Sequence, residues 1–218
     1  AVVLSHGHLD HSGRLPKLSA DGYKGPIYMT NPTAELLEVL LKDSASLQRS
    51  DAEWENKRRR RSGKDLIEPL YTAEDVEETL TQCVGNCYGK RISIVEGIDV
   101  CFRDAGHILG SSIVEMFITE GGTEKKLVFS GDLGNSYAAL LSDPEVVEEA
   151  DVLLLESTYG DRNHRPMDET LEEFEDIIVE ASKNGGNIKR QAKTTSRFSG
   201  QPNGHCRDGN LSSISECL

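Results

Sequence analysis

Ser5-His6-Gly7-His8-Leu9-Asp10-His11-Ser12 places three imidazoles and a carboxylate within six consecutive residues. The stretch follows Ala1-Val2-Val3-Leu4, a short, uncharged, β-branched run that reads as a buried strand. Gly7 permits a tight turn at the strand end, and Ser12 is a suitable cap for a helix beginning near Gly13. A strand, a turn and a helix start in succession can aim His6, His8, Asp10 and His11 at one point. Imidazole and carboxylate are the donors that hold zinc or a similar transition ion. Half of the six histidines of the chain stand in this one loop, which argues against a chance polar turn.

If this loop binds metal, later strand ends must complete the ligand set. Asp104-Ala105-Gly106-His107 follows an apolar run and precedes Gly110-Ser111-Ser112, so His107 arrives in a glycine-rich loop at a strand end. Ser130-Gly131-Asp132-Leu133-Gly134 ends another strand with a carboxylate between glycines. Such an aspartate is ordinarily a turn former. Here its placement suits a carboxylate shared by two metals.

The rest of the chain reads as α/β. Pro26-Ile27-Tyr28-Met29 is a short strand, and Asn31 or Thr33 caps a helix with Leu36, Leu37, Leu40 and Leu41 at helical spacing. Residues 43–64 are polar and carry Lys57, Arg58, Arg59, Arg60, Arg61 and Lys64; they read either as a solvated helix or lobe, or as a basic patch for phosphates. Thr72 with Asp75 makes a capping box for a helix through about Gln82. The period then becomes two, over 91–95, 100–103, 112–119 and 126–130, with turns at Gly97 and Gly121-Gly122. Val152-Leu153-Leu154-Leu155 reads as one more buried strand, and Asp168 caps a helix carrying Leu171, Phe174, Ile177 and Ile178. Helices first, consecutive strands next, and a strand and helix last suit a layered α/β fold rather than a doubly wound one.

At 218 residues and 37% hydrophobic content, the chain can build one domain with a real core. No apolar run approaches the length of a membrane span and no signal peptide is visible, so a cytoplasmic location without membrane attachment is expected. The chain opens on Ala1 inside a strand, which suggests a start trimmed from the record. Five cysteines, an odd number without a Cys-x-x-Cys pair, argue against a disulfide framework and for reduced thiols. Cys83 and Cys87 are close enough to share a metal, but no further ligands flank them. A net charge of −13 does not favour nucleic-acid binding except through a local basic surface. Composition does not fix the oligomeric state. From Lys189 to Leu218 apolar periodicity disappears, and five cations stand against two carboxylates. This segment is expected to be unstructured, either as a natural tail or, the favoured reading, as an aberrant or frameshifted end.

His6-x-His8-x-Asp10-His11 resembles the signature of the metallo-β-lactamase superfamily, and His107 and Asp132 resemble its later motifs. Glu156-Ser157-Thr158-Tyr159-Gly160 looks like the opening motif of the β-CASP branch, and 13–16 and 104–111 are also similar to that branch. The branch contains ribonuclease-J-like enzymes and the endonuclease subunit of the pre-mRNA 3′-end cleavage complex. The resemblance covers about residues 1–188 and implies a partial metallo-β-lactamase domain there, an αββα sandwich. It implies that His6, His8 and His107 hold one zinc, that Asp10 and His11 hold a second, and that Asp132 bridges them. It further implies that Asp10 orients the nucleophile and that Glu156 holds a histidine that protonates the leaving oxygen. That histidine, a second late ligand and the β-CASP cap domain have no match in this sequence, and His205 is assigned to neither role. The implied activity is metal-dependent cleavage of single-stranded RNA, weak or absent in this chain by itself. Two rivals remain: a metallo-β-lactamase-fold hydrolase of a thioester, lactone or lactam, which the Glu156 motif disfavours, and a non-catalytic RNA-processing subunit, which the presence of six candidate ligands disfavours.

Overall fold

The computed structural model describes residues 1–136, 140–163 and 166–184. The 189–218 segment and His205 lie outside the described residues. The described chain falls into two compact units, Ala1–Glu156 and a second one from Ser157 onward.

The first unit runs β1 (Val2–Val3), α1 (Leu9–Ser12), α2 (Leu15–Ala20), β2 (Ile27–Thr30), α3 (Asn31–Arg61), α4 (Ala73–Gln82), β3 (Cys83–Asn86), β4 (Ile92–Val95), β5 (Ile98–Asp104), β6 (Ser112–Glu120), β7 (Thr123–Phe129) and β8 (Val152–Leu154). The second unit contributes α5 (Met167–Lys183). Two sheets result. One is parallel, in the order β1-β2-β3. The other, β4-β5-β6-β7-β8, is antiparallel up to β7, with β8 parallel to β7.

Strand alternation sorts the side chains into layers. From the parallel sheet, Leu4, Ile27 and Met29 join Leu15, Leu37, Leu41 and Val76 in a core between sheet and helices. On its other face Val3 and Tyr28 pack with Val100, Phe102 and Val114 between the two sheets. The outer face of the second sheet carries Ala105, Ile113 and Val128, covered by Leu133 and Val147. The unit is thus layered as helices, sheet, sheet, with both sheets ending at the histidine loops.

The local readings hold at several ends. The capping box of α4 is present: Asp75 N–H donates to Thr72 Oγ1 at 3.3 Å, and Thr72 N–H donates to Asp75 Oδ2 at 2.7 Å. Elsewhere the structure corrects the sequence. Ser12 does not start a helix; it closes α1, and its hydroxyl donates to the Gly7 and His8 carbonyls, both at 2.9 Å. Thr30, not Asn31 or Thr33, caps α3, accepting from Thr33 N–H. The polar stretch 43–61 continues α3 without a break. It needs only a narrow apolar stripe, Leu37, Leu41, Ala45 and Ala52, because the following loop folds back along it. Asn56 there exchanges two hydrogen bonds with the Ile67 backbone, at 2.8 and 2.9 Å. Residues 83–86 form a strand rather than a helix end, so Cys83 and Cys87 do not share a helix face. Cys83 and Cys101 are free thiols. β8 is not buried: Val152, Leu153 and Leu154 are 51–56% exposed, and among the described strands β8 pairs with β7 alone. Pro166, not Asp168, takes the N-cap position of α5, and Asp168 lies in its first turn. Among the described residues, no helix is long and apolar enough to cross a membrane.

Candidate metal centre

Three loops meet where β1, β5 and β7 end. The first carries His6, His8, Asp10 and His11; the second, between β5 and β6, carries His107; the third, after β7, carries Asp132. They are tied through backbone and hydroxyl groups. Ser112 N–H and Oγ both donate to the Ser5 carbonyl, at 2.9 and 2.8 Å, fixing the first loop against β6. Ser111 Oγ accepts from His107 N–H at 3.0 Å and Ile108 N–H at 3.1 Å. The Gly110 carbonyl accepts from Thr30 and Thr33 hydroxyls at 2.7 and 2.8 Å, which anchors the His107 loop on the first turn of α3. Gly110 sits at φ +81° with the Thr33 backbone where a Cβ would go, so no other residue fits there. Gly134 donates its N–H to the Ala105 carbonyl at 2.8 Å and approaches the Gly106 backbone more closely than any Cβ permits. The Asp132 and His107 loops are thereby strapped together.

The donor atoms converge. His8 Nδ1 lies 3.2 Å from both His6 Nε2 and His107 Nε2. Asp132 Oδ2 is 3.6 Å from His6 Nε2 and from His107 Nε2. Asp132 Oδ1 turns the other way, to 3.3 Å from His11 Nε2, which is 3.5 Å from Asp10 Oδ2. Two groups of donors share Asp132: His6, His8, His107 and Asp132, and Asp10, His11 and Asp132. In a tetrahedral site with bonds of about 2.0–2.2 Å, donor atoms stand about 3.3–3.6 Å apart. The observed spacings match, so this donor set fits a divalent transition ion. Ring nitrogens and carboxylate oxygens at such distances would otherwise oppose lone pairs without a charge to hold them.

Electrostatics agree with that use. His6 is fully buried, and its pKa is lowered to about 4, first by burial and then by the neighbouring His11 charge. It therefore stays neutral, as a metal ligand must. Ser5 Oγ lies 3.1 Å from His6 Nδ1. In the tautomer with the proton on Nδ1, that nitrogen donates to Ser5 and the Nε2 lone pair points into the cluster.

Glu156 stands apart from the cluster. Its Oε1 accepts from Leu133 N–H at 2.5 Å and its own N–H donates to Ser130 Oγ at 3.0 Å. It brackets the Asp132 loop from the β8 side. The sequence reading, which gave Glu156 a histidine to hold, did not anticipate this contact with the residue after Asp132. Ser5, Ser111, Ser112 and Gly134 also escaped that reading. The only signal for them was their place beside a ligand.

No family model matches the chain. Ribonuclease TTHA0252 of Thermus thermophilus is 39% identical over 188 residues, covering 86% of this chain and 38% of that protein. Transcription termination factor FttA of Thermococcus kodakarensis is 32% identical over 204 residues, covering 90% of this chain and 28% of that protein. These relatives support the resemblance to the β-CASP branch of the metallo-β-lactamase superfamily that the motifs carry. Among solved structures, a subclass B3 metallo-β-lactamase of Bradyrhizobium japonicum superposes with a TM-score of 0.38 at 12% identity, over 84% of this chain and 73% of that one. That likeness is slight, and the support for the β-CASP resemblance comes from the sequence relatives. The chain spans well under half the length of either relative.

Proposed function

We propose that residues 1–188 form the metallo-β-lactamase part of a zinc-dependent phosphodiester hydrolase that cleaves single-stranded RNA. The observation that carries the reading is the convergence of six side chains from three loops, in a chain 39% identical to a protein named a ribonuclease. His6, His8 and His107 would hold the first zinc and Asp10 and His11 the second, with Asp132 shared between the two groups. Zinc supplies Lewis acidity and a water acidified to a pKa near 7.

The chain's own residues supply position. His6 keeps its Nε2 lone pair available because Ser5 accepts the Nδ1 proton. Asp10, with a side chain 77% exposed, stands at the open side of the cluster, where its carboxylate accepts a hydrogen bond from the attacking water and aligns it with phosphorus. Glu156 acts as a positioning residue through Leu133 N–H, holding the Asp132 loop in register. Departure of the leaving oxygen needs a proton, and Glu156 is not placed to give it directly.

The test sets a labelled single-stranded RNA beside a lactam reporter, each with and without chelator. With the chain joined in frame after Ile188 to a β-CASP cap domain, metal-dependent RNA cleavage that Asp10→Ala abolishes is the expected result. Efficient lactam opening with the RNA left intact would overturn the ribonuclease reading.

A further inference from the structure

The far end of α3 presents a feature that the metal centre does not use. Trp54, Lys57, Arg58 and Arg61 fall at i, i+3, i+4 and i+7, on one face of the helix. All four are exposed, Trp54 by 66%. With Ser62 they line a depression of about 530 Å³. The neighbouring face is occupied differently: Ala52 is buried, Asn56 binds the Ile67 backbone, and Arg59 pairs with Glu55 and donates to the Asp65 carbonyl at 2.8 Å. Among the described residues no carboxylate pairs with Lys57, Arg58 or Arg61. The next carboxylate along the stripe is Asp51, one turn before Trp54.

A bland account exists. Cations in the last turn of a helix offset the helix dipole. That account covers Arg58, Arg59, Arg60 and Arg61, but not Lys57 or a tryptophan on the same stripe two turns back, nor cations without carboxylate partners among the described residues in a chain of net charge −13. Water-exposed tryptophan beside guanidinium groups is the combination that binds unpaired bases: the indole stacks on a base while the cations meet flanking phosphates.

We propose that Trp54, Lys57, Arg58 and Arg61 form a docking site for single-stranded RNA, separate from the metal centre. The identity of the polymer rests on the ribonuclease reading; the existence of the site rests on the stripe. Thr33, at the other end of α3, holds the His107 loop. At 1.5 Å of rise per residue, the stripe lies about 30 to 40 Å from it along the helix. The site therefore binds a remote part of the same strand, not the segment that meets the metals. A membrane is a poorer occupant, because the stripe has one large apolar residue and no apolar face to sink.

Trp54 is the single tryptophan of the chain, so its fluorescence reports this site alone. The full chain, with chelator present to prevent cleavage, is titrated with oligouridylate at several salt concentrations. Expected is saturable quenching that weakens with salt. Replacing Lys57, Arg58 and Arg61 together by alanine should lower the log–log salt slope by about 2, since each phosphate contact on a single strand contributes about 0.7. Replacing all three by the alternative cation (Lys57→Arg, Arg58→Lys, Arg61→Lys) should restore it. Trp54→Ala, followed by anisotropy of a labelled oligonucleotide, should bind roughly fivefold to a hundredfold more weakly. An unchanged slope in the triple variant, or equal quenching by phosphatidylserine vesicles, would overturn the proposal. Cleavage of RNA without Trp54 quenching would remove the docking site and leave the enzyme reading standing. Quenching by the chain, with no metal-dependent cleavage by its capped form, would do the reverse.

Discussion

The two halves of the metal centre share Asp132 and differ in how their other donors are held. His6, His8 and His107 come from two loops that strands and hydroxyls fix at several points, and His6 is fully buried. Asp10 and His11 both come from α1, a helix of four residues, and the Asp10 side chain is 77% exposed. The first half is pre-organised before any ion arrives; the second must pay the entropy of ordering an exposed carboxylate as it binds. Affinity should therefore fall from the first half to the second although the donor chemistry is similar. The largest expected effect is on the first half. His8→Ala removes the nitrogen that both other histidines face, so metal bound there is lost. Metal at a thousand times its Kd stabilises a fold by about 4 kcal/mol, which in a chain of this size moves Tm by on the order of 10 °C. Metal-dependent Tm gain in wild type, absent in His8→Ala and largely kept in Asp10→Asn, is the expected pattern. The opposite ranking would invert the comparison.

Acid should probe the same asymmetry in chelator-treated protein. The His6 pKa is about 4 when folded and about 6.5 when unfolded. Between those values the unfolded chain binds more protons, so falling pH favours unfolding. The stability that neutral His6 contributes is complete above pH 6.5 and is lost as pH falls to about 4, by about 3 kcal/mol. Urea denaturation at successive pH values measures this. His6→Gln should flatten that dependence, and a profile that keeps its slope in this variant would assign the effect elsewhere.

A smaller change comes from the orienting hydroxyl. Ser5→Ala leaves all ligands in place but frees the His6 tautomer, and first-half affinity should drop about 10- to 100-fold. Competition with a colorimetric chelator reads it, and no change would mean that burial alone orients the ring. The smallest effect is on the apo fold of Asp10→Asn. An exposed residue whose side chain pairs only with the half-buried His11 among the described residues should shift stability by less than about 0.5 kcal/mol, while occupancy of the second half falls. Calorimetry with and without metal separates the two.

Much of this was legible in the chain because metal ligands are chemically rare and locally clustered. His6, His8, Asp10 and His11 lie together in sequence, and His107 and Asp132 each follow a strand of clear period two, so their convergence could be expected before any coordinates. The parts that were not legible depend on partners distant in sequence. Polar residues 43–61 hide a continuous helix because its buried stripe there is one alanine every two turns, Ala45 and Ala52, and only the returning loop shows why that suffices. Residues 83–86 carry a glycine and an asparagine and become a strand because β2 offers an edge. Val152 to Leu155 have the composition of a buried strand, yet their side chains stand exposed at the last strand of the second sheet. Glu156 finds the Leu133 amide through tertiary pairing of β7 with β8, which no spacing encodes.

The strap between Gly134 and Ala105 has a consequence for the order of assembly. The donors that meet at the cluster are far apart along the chain, His8 and His107 by 99 positions, and Asp132 lies farther still. Closing loops of that length is slow and entropically costly until the intervening strands have paired. The cluster is thus completed after the second sheet has zipped from β5 through β7, and an ion arriving earlier finds at most the residues of the first loop. Metal here is a late clasp on a folded body and not a nucleus for folding. Loading should therefore follow the rate at which the finished protein meets the ion, and an ion withheld during refolding and supplied afterwards should be taken up in full.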